Sequence, residues 1–344
     1  MNPPTRQYVR FLFLKLDPAW RRLPAVDQAE QKRAFGQALL RHRARLLLRT
    51  YGLSGTRGDA DLLFWQVADD LDAFQGLQTE VFSTRLGSYL GIAHSFLGVT
   101  RRSTYELPAE MDEQERIRVT PQDSRYLFVY PFVKTREWYT MPLEQRQGMM
   151  EEHIRIGRKY GQFQLNTTYC FGLDDQEFIV AFEGDDPGEF VSLVMELRES
   201  AASRYTLRDT PIFTCIQMSL WDALDALGGA SAPRPEARES TDGGFVPVAR
   251  RDAVPEGGAQ RVYLGSDAIA LFRVNGSVRA VSDRCTHGRA SLSEGRVDPD
   301  GGVLTCPWHG GRFRLDTGAP CGGPVRLPLR TFEVREDGDW ILIR

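Results

Sequence analysis

The sequence predicts an α+β chain in which two tandem ferredoxin-like modules precede a small all-β domain, and three observations carry that reading. Two stretches within the first 227 residues repeat one another in pattern. A polar, Pro-rich segment follows them, and the remainder reads as short strands joined by Gly- and Asp-based turns. With 344 residues, 42% hydrophobic and 26% charged, the chain is long enough for two or three packed domains, which excludes disorder as its dominant state. The 43 basic and 46 acidic side chains leave a formal charge of -3, without the basic excess of a phosphate-tracking surface, so nucleic acid is not an expected partner. No stretch approaches the roughly 18 to 20 apolar residues of a membrane span, and Met1 to Trp20 is too charged for a secretory signal. A cytoplasmic location is expected. Five cysteines, odd in number and widely spaced, argue for metal or redox use rather than a disulfide framework.

The repeat sets the first domain, residues 1–227. YVRFLFLKLDP at Tyr8 is matched by YLFVYPFVKTRE at Tyr126, and ADDLDAFQGL at Ala68 by GDDPGEFVSL at Gly184, with offsets of 118 and 116 residues. Alternation and helical spacing give each half the order strand, helix, strand, strand, helix, strand. That order predicts modules of about 1–110 and 120–227, each with one sheet face under helices and the other free to face its twin.

Residues 228–243 have no hydrophobic period to bury and are expected to be a linker. Beyond them, residues 244–344 contain two alternating runs around Asn275-Gly276, a type I′ hairpin signal, and Asp337-Gly338 repeats the device.

Two short motifs in this last domain carry chemistry. Cys285-Thr-His287 and, eighteen intervening residues later, Cys306-Pro-Trp-His309 place one thiolate and one imidazole on each of two loops. A binuclear iron–sulfur centre of mixed ligation needs this interlacing, with both Cys on one iron and both His on the other. Zinc fingers order their ligands differently and with wider gaps, so zinc fits poorly. Over its whole length the segment resembles a Rieske [2Fe-2S] domain, which implies Cys285, His287, Cys306 and His309 as cluster ligands and an NAD(P)H-dependent reductase as electron source. Respiratory members of that family add a disulfide between the cluster loops, where this chain has Ala290 and Trp308. They also aim Ser and Tyr hydroxyls at the cluster, where this chain has Gly311 and Phe313. Fewer hydrogen bonds to sulfur place the expected potential near the low end of the Rieske range, about -150 mV. Cys321 lies outside the motif and is expected to be a small buried residue.

Three further histidines remain. His42, among RHRAR, reads as a solvated helix residue, and His94, placed before a strand, as structural. His153 lies in PLEQRQGMMEEHIRIGRKYG, where Pro142 and Glu144 mark a helix start and Met149, His153, Ile156 and Tyr160 share one stripe. Taken alone, a histidine on such a stripe is more readily a hydrogen-bonded core residue than a metal ligand.

The surrounding strings widen the reading. YPFVKTREWYTMPLEQRQGMMEEHIRIGRKYG followed by NTTYCFGLDDQEF resembles the chlorite dismutase superfamily, and within it the coproheme decarboxylase branch. The resemblance covers roughly Tyr8 to Leu227 and implies a dimeric α+β barrel, His153 as proximal ligand of a haem or coproheme iron, and the macrocycle in the second module. It also implies an oxidative decarboxylation of two propionates of iron coproporphyrin to vinyl groups, giving haem b. Tyr130, in the Tyr-Pro-x-x-Lys string, matches the family's catalytic tyrosine, which can remove a hydrogen atom from an unactivated carbon as a phenoxyl radical. Lys134 matches the lysine that engages a propionate. Four substrate carboxylates need cationic or hydroxyl partners, and Arg116, Arg158, Arg198 and Ser203 are candidates by position. Without the resemblance, Tyr130 reads as one of several aromatics on a strand face with Tyr126, Phe128 and Phe132.

One position departs from the family pattern. Thirteen residues beyond the proximal histidine, chlorite-splitting members carry an arginine and many decarboxylases a glutamine, but this chain has Asn166. Without the guanidinium, chlorite dismutation is not expected, and Asn166 is the expected amide for guiding hydrogen peroxide or oxygen. Gly172 to Asp175 reads as a structural turn. Two other functions remain open: a haem-dependent monooxygenase or peroxidase acting on another substrate, and a haem-binding redox carrier or sensor. The appended cluster is the expected electron donor to the iron, and the resemblance implies a homo-oligomer, usually a pentamer.

Overall fold

The computed structural model describes residues 6–42, 45–105, 119, 121, 124–231, 245–264, 267–288, 290–298, 300 and 302–344. They form two compact units, the first of residues 1–38 and 48–232 and the second of residues 39–47 and 233–344. Most of the expected linker, and the candidate Arg116, lie outside the described residues. Among the described residues no helix is long and apolar enough to cross a membrane.

The first unit realises the repeat. Its first half contains β1 (Tyr8–Leu16), α1 (Ala25–Arg41), β2 (Leu46–Gly52), β3 (Leu62–Ala68), α2 (Asp72–Phe82) and β4 (Leu90–Val99). The second contains β5 (Tyr126–Lys134), the short α3 (Arg136–Thr140), α4 (Leu143–Lys159), β6 (Gln164–Tyr169), β7 (Phe178–Gly184), α5 (Pro187–Glu199), β8 (Thr206–Arg208), β9 (Phe213–Gln217) and α6 (Leu220–Asp225). β1 and β5 begin 118 residues apart, as do α1 and α4, which are both 17 residues long. Helix starts follow local chemistry. Asp186 accepts from the amides of Gly188 and Glu189, with Pro187 as the first residue of α5, while Arg158 and Lys159 sit at the negative end of α4.

The strands run β7, β6, β4, β1, β3, β2, β9, β5, and β5 pairs back onto β7, closing an eight-stranded barrel to which β8 adds at β5. Each half keeps the ferredoxin-like order, and the halves join through Val99–Tyr169 and through Tyr51–Gln217. Phe13 of β1 meets Phe213 of β9 at 4.0 Å between ring centroids, so that face of each half-sheet is the barrel interior. The other face of the second half packs under its helix. Phe190 of α5 stacks on Phe128 of β5 at 3.9 Å, a pairing worth about 0.5–1.5 kcal/mol beyond its burial.

The second unit is all-β. It contains β10 (Val246–Arg250), β11 (Ala259–Leu264), β12 (Asp267–Val274), β13 (Ser277–Ser282), β14 (Arg296–Val297), β15 (Val303–Thr305), β16 (Arg312–Arg314), β17 (Pro320–Gly322), β18 (Thr331–Phe332), β19 (Val334–Asp337) and β20 (Trp340–Ile343). They form sheets of three, four and four strands. The β12–β13 hairpin turns at Asn275 (φ 50°) and Gly276 (φ 75°), the positive-φ pair that a type I′ turn requires.

Candidate functional site

In the second unit, the two sequence motifs converge. Cys285 lies in a loop closed by its amide donating to the Ala290 carbonyl at 2.9 Å, and Cys306 in one closed onto the Gly311 carbonyl at 2.7 Å. The two buried thiols hydrogen-bond to each other, so they share a proton and one is held toward the thiolate. The His287 and His309 rings stand 5.0 Å apart at 88° on the exposed side. A third loop packs against both, with the Thr286 hydroxyl donating to the Leu327 carbonyl at 2.8 Å. Val325 fills the place a side chain at Gly311 would need, since a Cβ there would lie 2.5 Å from a Val325 methyl. Cys321 is exposed, not buried as expected, because it sits on the three-residue β17 at the end of its sheet.

In the first unit the duplicated helices differ in how they sit. In α1, Gln28, Gln31, Lys32, Phe35 and Ala38 are buried, and Phe35 is 1% exposed. In α4 the buried residue is Ile156. His153, at the position equivalent to Phe35, keeps a buried Nδ1 with no hydrogen-bond partner among the described residues. Burial, with the nearby Lys134 charge, pulls its pKa down to about 4, so the imidazole is neutral. A neutral ring with free lone-pair capacity is the form that ligates metals.

Across from α4, Tyr130 and Lys134 project from β5. Burial and the Asp209 charge raise the Tyr130 phenol well above its usual value, so it stays protonated. Lys134 is 9% exposed, donates from Nζ to the Ala202 carbonyl at 2.7 Å and lies 4.4 Å over the Trp138 ring. Burial lowers its pKa to about 8. Glu152, beside His153, accepts from the Ala201 amide and so ties α4 to the same turn. Ser203 follows in that turn, and its hydroxyl donates to the Arg198 carbonyl at 2.6 Å. Tyr130, Lys134, His153 and Ser203 are therefore gathered around one region. The Arg198 guanidinium is engaged by Asp209 at 2.6 Å, and Arg158 is exposed on α4.

The structure corrects the placement of Asn166. Ala181 of β7 pairs with Val129 of β5 and with Asn166 of β6, which puts Asn166 on the barrel-interior face. There it is 6% exposed and donates from Nδ2 to Glu183 at 2.9 Å. Val180 pairs with Tyr130 and with Thr167, while Phe182 pairs with Phe128 and with Leu165. Thr167 and Leu165 thus share the Tyr130 face, and Leu165 is 52% exposed although apolar. A helix end and a turn separate His153 from β6, and a slip of one residue there exchanges the faces.

His94 lies within β4 rather than before it, 3.3 Å from Asp59. Gly172 adopts φ 75°, and Asp174 accepts from the Leu97 amide at 2.7 Å, so the Gly172 to Asp175 string is a turn that also braces β4. Sequence reasoning passed over Arg146, Glu152 and Leu165. Arg146 carried a signal, since it lies on the His153 stripe two turns earlier.

Comparison with known proteins supplies two family matches. Residues 28–218 match the chlorite dismutase family, and residues 244–333 the Rieske [2Fe-2S] domain. A coproheme decarboxylase of Mycolicibacterium smegmatis is 33% identical over 174 residues, 49% of this chain and 72% of that protein. Among solved structures, a mutant chlorite dismutase from Candidatus Nitrospira defluvii superposes with a TM-score of 0.60 at 25% identity, covering 65% of this chain and 95% of the other. A haem-binding protein from Thermus thermophilus superposes with a TM-score of 0.56 at 27% identity, covering 64% of this chain and 94% of the other.

Proposed function

This chain belongs to the chlorite dismutase family and carries a Rieske [2Fe-2S] domain after it, and from that premise we propose that it is a coproheme decarboxylase whose Rieske centre supplies electrons. The observation that carries the proposal is the contrast between α1, seated on its sheet through Phe35, and α4, which holds a neutral His153, its Nδ1 without a partner among the described residues, within the influence of Lys134. The named activity of the Mycolicibacterium relative supports it. The working domains are 1–227 and 244–344.

In this reading His153 ligates the iron of the substrate, which supplies the oxidising chemistry when bound. Lys134 meets a propionate carboxylate, trading the Ala202 carbonyl for a charge-assisted bond. Tyr130 removes the hydrogen atom. Its raised pKa keeps the phenol protonated, so the proton leaves with or after the electron rather than before it. Asp209, fixed by Arg198, is the charged group nearest in influence to that proton. Chlorite chemistry is not proposed, because β6 turns Leu165 and Thr167 rather than a cation toward Tyr130.

Electron balance gives the second domain its role. Converting a propionate to a vinyl group releases carbon dioxide, a proton and two electrons. Hydrogen peroxide accepts those two electrons and becomes water, with no donor needed. Oxygen reduced to water takes four, so in that reaction two must come from elsewhere for each propionate. Cys285, Cys306, His287 and His309 would hold a one-electron centre, which must then cycle twice per propionate.

Porphyrin mass spectrometry on the coproheme-loaded chain tests both parts, comparing peroxide alone with reductase, reduced nicotinamide cofactor and air. Loss of two carboxyl groups is expected, and Tyr130→Phe should abolish it. Unchanged coproheme in both tubes would overturn the decarboxylase reading. A Cys306→Ser chain that turns over as fast as the unaltered chain with reductant and air would remove the donor role.

A further inference from the structure

Arg146 lies in the first turn of α4, seven residues before His153 and so on the same face, about 10 Å away along the axis. Met149 and Met150 lie between them on that stripe. The Arg146 Nε is buried, and among the described residues nothing accepts a hydrogen bond from it. A buried guanidinium donor without an acceptor is costly, and an anion is one partner that would satisfy it.

The repeat makes the orphan informative. The position equivalent to Arg146 in α1 is Gln28, 118 residues earlier. Gln28 is 4% exposed and fully engaged: its Nε2 donates to the Arg21 carbonyl at 3.1 Å, and its Oε1 accepts from the Ala230 amide at 2.8 Å. One copy of the helix thus closes its corner with protein partners. The other places a fixed positive charge at the same corner and leaves its Nε open, two turns from the histidine that replaces Phe35.

We infer that Arg146 binds a carboxylate of the iron porphyrin, as an anchor on the same helix as the iron's ligand. The inference rests on His153 holding that iron. Porphyrin carboxylates hang from the rim of the macrocycle, away from its centre, so a cation that meets one must be displaced from the ligand by about two helical turns. Arg is suited to the role because its charge is permanent and its planar fork matches a carboxylate. Arg146 adds to Lys134, which approaches from β5, so carboxylates would be held from the helix and from the sheet.

The test is an absorbance titration of the full chain, cluster intact, with coproheme and with its tetramethyl ester, in unaltered, Arg146→Gln and Arg146→Lys forms. Arg146→Gln should weaken coproheme binding about tenfold, equivalent to about 1.4 kcal/mol, and leave ester binding unchanged. Arg146→Lys should recover part of the loss by restoring the charge. Equal affinity for coproheme in the Gln variant overturns the inference, and so does an equal loss for acid and ester, which would mark a packing role. Failure of the unaltered chain to bind coproheme through His153 would overturn the underlying reading as well. Coproheme that binds with this Arg146 dependence but is never decarboxylated would overturn only the proposed activity.

Discussion

Phe35 and His153 hold the same position on two helices of equal length, 118 residues apart, one closing its module and the other leaving an imidazole Nδ1 buried and, among the described residues, unpartnered. Duplication thus produced two frames with different contents. The first module uses the position for core packing against Phe64, with ring centroids 6.2 Å apart. The second places His153 there instead, with its Nδ1 buried.

His153→Phe should therefore separate stability from binding. Removing an unsatisfied buried nitrogen is expected to stabilise the ligand-free chain by about 1 kcal/mol, seen as a raised thermal midpoint. The same variant should lose the Soret shift that coproheme gives on ligation by imidazole. A lowered midpoint would show that the imidazole is better accommodated than its missing partner implies.

Asn166 should behave as a structural residue. Asn166→Ala leaves the buried Glu183 without one of its donors and is expected to cost about 1–3 kcal/mol in chemical denaturation. Turnover per folded molecule and the coproheme spectrum should be unaltered. A spectral change without destabilisation would return Asn166 to the distal pocket. Leu165→Asn, which puts an amide on the Tyr130 face, is expected to speed peroxide-driven turnover instead.

The residues explain what the sequence could and could not reveal. Matched strings at nearly constant offset made the order of both modules legible, because long amphipathic elements carry their period with them. The cluster loops were legible because four ligand side chains at short spacing have few other uses. The face of Asn166 was not legible. Thirteen residues from His153 cross the end of α4 and the turn at Tyr160 to Phe163, where no period runs through. Cys321 failed for a related reason, since a three-residue strand offers no alternation from which burial could be read. Arg146 lay in plain sight on the His153 stripe, but a charge there reads as solvated until burial shows otherwise.

Lys134→Met should keep the fold and lose the substrate. Methionine fills the same length beside Trp138 and removes an ammonium that burial already disfavours, so the ligand-free stability should be unchanged or higher. Coproheme affinity is expected to fall about tenfold, while the tetramethyl ester binds as before. A matching loss for the ester would mean that Lys134 supports the turn at Ala202 rather than a carboxylate.

The Rieske centre should titrate at a low potential, about -150 mV, in a redox titration followed by electron paramagnetic resonance. Hydrogen bonds to the cluster sulfurs stabilise the reduced, more negative state, and two residues that could supply them are absent here. Gly311 has no side chain, and Val325 occupies the room one would need; Phe313 is fully buried and has no hydroxyl. Serine at 311 should fit only when the wall is cut back, so Gly311→Ser with Val325→Ala should raise the potential, whereas Gly311→Ser alone should impair cluster assembly. Phe313→Tyr tests the second position without the steric conflict and should also shift the potential upward. A centre that already titrates well above the low end would show that other donors reach the sulfurs, and it would weaken the case for this domain as a donor to the iron.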